Sequence, residues 1–124
     1  MRILVVDDDI GTVNALRAHL ASSGYQVVTA KDAYQALSVI EASTQGAEPI
    51  DLMVTDFKMP GMTGLELIQS ARKADPSLPA ILMTAYGDDS LRRRATGEGC
   101  CRYLDKPFSP ERLLSEIKGL EGSP

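Results

Sequence analysis

The sequence predicts an α/β domain in which a parallel five-stranded sheet is covered by helices on both faces. Three observations carry that expectation. Short continuous apolar runs, such as "ILVV" at residues 3–6, mark strands buried on both sides. Between them lie longer segments whose apolar residues recur at helical spacing. The two kinds alternate, β then α, five times over with short connections, which is the pattern of a parallel sheet.

Each element has its own signal. After the first strand, Val13, Leu16 and Leu20 recur along one helical face from Ile10, and Gly24 ends that helix. "YQVVT" (25–29) reads as the second strand, and a helix over 32–43 lines up Ala33, Ala36, Leu37 and Ile40. "DLMVT" (51–55) is the third strand. Leu65, Ile68 and Ala71 mark a helix stopped at Asp75-Pro76, because the residue before proline disfavours helical backbone. "AILMT" (80–84) is the fourth strand, with a weaker helix over 88–96. "CRYL" (101–104) is the fifth, and Ser109-Pro110 opens a last helix with proline at its first position. Leu113, Leu114 and Ile117 line the inner face of that helix. Residues 1–120 are expected to form one domain, with "EGSP" at 121–124 a tail or the start of a linker.

Bulk properties narrow the classes. The 124 residues suit a single core, and 44% hydrophobic with 24% charged residues is ordinary for a globular domain. A net charge of −4 argues against a nucleic-acid surface, which is usually basic. No apolar run approaches the ~20 residues of a membrane span, and "MRILVVDDD" is not a signal peptide. A cytoplasmic location is expected, with the adjacent Cys100 and Cys101 as reduced thiols. His19, the single histidine, reads as a surface residue of the first helix and not as a phosphodonor.

The stretch "VTDFKMPGMTG" (54–64) raises the functional question. It drives an apolar strand into one carboxylate, Asp56, and then breaks at Pro60, Gly61 and Gly64. An ionised carboxylate is costly to bury unpaired. So Asp56 either caps the next helix or stands where chemistry needs it. The other polar residues sort by position: Asp7, Asp8 and Asp9 follow strand one, Thr84 ends strand four, and Lys106 lies just beyond strand five. In an open α/β sheet these carboxyl ends share one edge, where ligands bind. Asp9 suits a helix cap, but one acid suffices for that. Clustered carboxylates repel, and Lys106 supplies a single positive charge. Oxygen ligands without histidine point to Mg²⁺ or another hard cation. A carboxylate nucleophile, a metal, a lysine and a hydroxyl together are the equipment of phosphoryl transfer.

At these residues the sequence resembles, over about 2–120, the receiver domain of bacterial two-component response regulators. "ILVVDDD", "VTDFKMPGMTGLEL", "MTAYGD" and "YLDKPF" match its four blocks in order and spacing. The resemblance implies a flavodoxin-like (CheY-like) fold of strand order 2-1-3-4-5. It implies Asp56 as phosphoacceptor, and Asp7 and Asp8 with Asp56 and the Lys58 backbone carbonyl as the Mg²⁺ site. It implies Thr84 and Lys106 as contacts of the phosphoryl group, Tyr103 as the aromatic switch residue, and a cis Lys106-Pro107 peptide. A sensor histidine kinase is the implied phosphodonor. The face of the fourth helix, fifth strand and fifth helix would carry the signal to an output domain, a partner protein or a second copy. "DFKMPGMTG" and "TAYGD" look most like receivers of the NtrC type, which control transcription. Ala33, Cys100 and Arg102 depart from the family's common Gly, Ala and Asp. Gly97 and Gly99 are expected to loosen the fourth helix, and Lys58 and Tyr86 stand where they would gate water. Arg92, Arg93 and Arg94 read as a solvated face, with partner docking as the alternative.

Other classes are separable. Haloacid-dehalogenase-type phosphatases also use an aspartate nucleophile, Mg²⁺ and a lysine. "DDDIGT" superficially resembles their first motif, with one extra residue before Gly11, and there the nucleophile would be Asp7. A flavodoxin-like FMN binder would want a Ser/Thr-rich phosphate loop where this chain has three acids. An unphosphorylated pseudo-receiver would be expected to lose Asp56, Lys106 or the acid pair, and all are present.

Overall fold

The computed structural model describes residues 1–46, 48–85, 87–97 and 101–121, the side chain of Cys101 aside. Tyr86, Gly99, Cys100 and residues 122–124 lie outside the described residues. Five strands and five helices alternate among them: β1 (Arg2–Val6), α1 (Ile10–Ser22), β2 (Gln26–Ala30), α2 (Ala33–Thr44), β3 (Leu52–Asp56), α3 (Gly64–Ala74), β4 (Ala80–Thr84), α4 (Asp89–Thr96), β5 (Cys101–Asp105) and α5 (Pro110–Glu121). All expected elements are present, with ends displaced by a residue or two.

All strand pairs are parallel, in the order β2-β1-β3-β4-β5. The apolar runs are continuous because each strand serves two cores. Ile3, Val5, Leu52, Val54, Ile81 and Met83 pack with Leu16 and Leu20 of α1 and Leu113 and Ile117 of α5. Leu4, Val6, Met53 and Leu82 point the other way, onto Ala36 and Ile40 of α2, Ile68 of α3 and Leu91 of α4. Right-handed crossovers dictate this split. The chain steps outward from β1 to β2, then reverses to β3, so α1 lies on one face and α2, α3 and α4 on the other. The reversal leaves a switch point between β1 and β3, where an open α/β sheet binds ligands.

The caps answer whether Asp56 serves α3. It does not. Thr63 caps that helix, accepting from the Glu66 N–H at 3.2 Å while Glu66 accepts from the Thr63 N–H at 3.0 Å. Asp9 caps α1, accepting from the Gly11 N–H at 3.1 Å and the Thr12 hydroxyl at 3.0 Å. His19 is exposed on α1.

Candidate functional site

Asp7 immediately follows β1 and Asp56 ends β3, so the two flank the switch point. Backbone pairing runs past the strands and fixes these positions. The Asp7 N–H donates to Ala30 O at 3.2 Å, the Phe57 N–H to Met83 O at 2.8 Å, and the Lys106 N–H to Thr84 O at 2.8 Å. The peptide between Lys106 and Pro107 is cis. The start of α3 closes the floor: the Gly64 N–H donates to Phe57 O at 2.7 Å. A Cβ on Gly64 would overlap the backbone oxygen of Asp56 and stand 2.9 Å from Leu82 Cδ1. Only glycine allows this close approach.

Carboxylate oxygens of Asp7, Asp8 and Asp56 all lie within 4.8 Å of one another. Asp7 is buried, Asp56 half-buried and Asp8 exposed. Lys106 Nζ reaches across from the β5 side to Asp56 Oδ1 at 3.1 Å and Asp7 Oδ2 at 3.4 Å. Charge accounts for the chemistry. Two carboxylates at the outer limit of that spacing repel by about 3 kcal/mol at an effective dielectric of 20, and each contact with the ammonium returns about 5. Lys106 therefore clasps the cluster, but its single charge does not balance three acids. The donors are all oxygen, the three acids exceed the charge of Lys106, and Asp8 is open to solvent. A hard divalent cation fits this set.

Burial pushes the Asp7 carboxyl above its ordinary value, and the charge of Asp56 adds to the rise. The Asp9 N–H, which donates to Asp7 Oδ1 at 3.0 Å, and Lys106 hold it back. Burial alone would lower the Lys106 ammonium. The hydrogen bond to Asp56 and the charges of Asp7 and Asp56 outweigh it and leave Lys106 above its ordinary value.

Thr84 ends β4 with 1% of its surface exposed, and Lys58 is exposed on the β3–α3 connection. Tyr103 lies on β5, half-buried against the core beneath α4. Asp105 and Arg92 join it here, a contact that neither the strand motif nor the basic run of the helix assigns. Arg92 Nη2 pairs with Asp105 Oδ2 at 3.1 Å, and the guanidinium carbon stands 5.1 Å from the Tyr103 ring centroid. Arg92 is exposed, as a solvated face would have it, but it is not solvated alone. The signal available in the sequence was a tyrosine two residues before an acid on one strand, facing a basic helix. Gly97 forms the C-cap of α4.

A doubly wound parallel sheet with an acidic, lysine-clasped crevice at its switch point defines an α/β domain whose carboxylate cluster could hold a metal ion. The chain belongs to the response regulator receiver domain family, whose model matches residues 3–118. It is 38% identical over 120 residues to the response regulator MprA of Mycobacterium avium, covering 97% of this chain and 50% of that protein. It is 35% identical over 115 residues to the transcriptional regulatory protein GlrR of Escherichia coli, covering 93% of this chain and 25% of that protein. The chain thus spans a quarter to a half of these curated relatives. Among solved structures it is similar to the beryllofluoride-activated NtrC4 receiver domain dimer. That match has a TM-score of 0.86 at 32% identity, covering 96% of this chain and 94% of that one. The phosphatase and flavin-binding alternatives are disfavoured by these matches. The domain is a signalling domain.

Proposed function

We propose that Asp56 accepts a phosphoryl group from a sensor histidine kinase, and that this modification switches the face formed by α4, β5 and α5. The observation that supports this most directly is the Asp56 carboxylate held at 3.1 Å from Lys106, beside the acid pair Asp7 and Asp8, at the sheet's switch point. A carboxylate oxygen of Asp56 attacks phosphorus. The bond from phosphorus to the donor nitrogen breaks, its electron pair leaving on the donor histidine, and Asp56 becomes an acyl phosphate. Lys106 stands where it would neutralise the incoming oxygens, and the buried Thr84 hydroxyl at the end of β4 would accompany it. Asp7, Asp8, Asp56 and the Lys58 backbone carbonyl would hold Mg²⁺. When bound, Mg²⁺ supplies the positive charge that phosphoryl oxygens need.

Thr84 and Tyr103 would carry the change outward to α4. The relatives' names support an output in transcription, and the activated NtrC4 dimer supports a phosphorylation-dependent homodimer as one form of that output. The net charge of −4 argues against nucleic-acid contact by this domain, and among the described residues no helix is long and apolar enough to cross a membrane. We place the domain in the cytoplasm, where its kinase would meet it.

Intact mass after incubation with acetyl phosphate tests the assignment. Wild type should gain one phosphoryl group with Mg²⁺ and little without it, and Asp56→Asn should gain none. An adduct of equal yield in Asp56→Asn would overturn the role of Asp56. An adduct lost only on replacing Asp7 would restore the phosphatase alternative.

A further inference from the structure

The Tyr103 ring is positioned by three residues that the crevice does not use. Its hydroxyl occupies the place where a Cβ on Gly87 would stand, so the ring lies directly against the β4–α4 connection. The same point lies 3.0 Å from Asp105 Oδ1, so the Tyr103 hydroxyl and the Asp105 carboxylate are neighbours over Gly87. Residues 103 and 105 are two apart on one strand and share a face, which brings ring and carboxylate together. Asp105 Oδ2 in turn pairs with Arg92 Nη2 at 3.1 Å, while the Arg92 guanidinium covers the ring at 5.1 Å from its centroid. The Arg92 and Asp105 side chains are 57% and 56% exposed. An ion pair so exposed contributes little alone. This one differs because each of its members also touches the same tyrosine.

We propose that Arg92 and Asp105 form a clasp that holds the Tyr103 ring over Gly87, and that the three residues together set the resting position of the switch. Arg92 belongs to α4 and Asp105 to β5, so the clasp also ties that helix to the sheet edge. A ring that leaves Gly87 gives up its place beside the Asp105 carboxylate and its contact with the Arg92 guanidinium at once. Gly87 is the floor of the device, because any side chain there displaces the hydroxyl. The proposal rests on Tyr103 being the switch residue, and the test separates the two ideas.

Ring ¹³C–¹H signals of Tyr103 can be followed in tyrosine-labelled protein without metal, assigned with Tyr103→Phe. Gly87→Ala supplies the reference for a displaced ring. Arg92→Ala and Asp105→Ala, at exposed positions that do not threaten the fold, should each move the Tyr103 signal toward that reference. The displaced population should rise about fivefold, which corresponds to about 1 kcal/mol at 1.4 kcal/mol per tenfold. Arg92→Lys retains the cation without the planar fork and should fall between. Wild-type ring signals in both Arg92→Ala and Asp105→Ala would overturn the clasp, as would an unmoved signal in Gly87→Ala. Adding Mg²⁺ and beryllofluoride to wild type then reads the switch itself. A Tyr103 signal that ignores beryllofluoride would sink the switch reading, while the resting shifts would still show whether the clasp holds the ring.

Discussion

Replacing Lys106 with methionine removes one charge and keeps an unbranched side chain of similar length. The Lys106 side chain is 26% exposed and contacts carboxylates that are 1% and 13% exposed. Hydrogen bonds to charged groups contribute ~1.5–3 kcal/mol, and breaking them leaves Asp7 buried without its cation. Without metal at neutral pH we expect the variant to lose about 2 kcal/mol, or roughly 6–10 °C of melting temperature for a domain of this size. The pH dependence has a definite sign. Lys106 titrates higher in the folded chain than its ordinary 10.5, so its contribution is complete below that value and is lost as pH rises through the folded one. The gap between wild type and Lys106→Met should be level from neutral pH to about 10 and should close above it. Asp7 behaves oppositely. Its carboxyl is raised from 3.8 by burial, so stability falls as pH rises from 3.8 through the folded value, and falls further in the variant, where Lys106 no longer offsets the charge. Excess Mg²⁺ should narrow the gap by supplying the missing positive charge. Thermal melts by circular dichroism over pH, with and without Mg²⁺, decide the matter. Equal melting of the two proteins without metal at neutral pH, or a gap indifferent to both Mg²⁺ and alkali, would refute the reasoning.

Two further outcomes follow from the same crevice. Mg²⁺ at a hundredfold excess over its Kd should stabilise wild type by ~2.7 kcal/mol, and Asp8→Ala should lose most of that response in differential scanning calorimetry. Equal responses would place the cation elsewhere. Gly64→Ala should cost about 1–3 kcal/mol through overlap with the Asp56 backbone, more than the ~1 kcal/mol that alanine returns to a helix, and should slow phosphorylation by acetyl phosphate. Gly11→Ala meets only Asp9 Oδ1 at 3.5 Å and should melt close to wild type, so equal melting of all three proteins would show that α3 simply shifts aside.

The element order was legible in the sequence because burial is written locally. A strand covered on both faces must be apolar throughout, as at Leu4 and Val5, and a helix on the surface must repeat its apolar residues by turns, as at Val13, Leu16 and Leu20. Parallel alternation by itself places Asp7, Asp56, Thr84 and Lys106 along one edge. Tertiary structure decided what such periodicity cannot encode. That Thr63 and not Asp56 caps α3 depends on where the connection turns, and that Lys106 meets both Asp56 and Asp7 depends on strands brought together from opposite ends of the chain. Arg92, Tyr103 and Asp105 show the limit most clearly. An arginine on a solvated helix face and one braced over a tyrosine have the same local sequence, because the difference lies in the packing of α4 on β5 and in the missing side chain of Gly87.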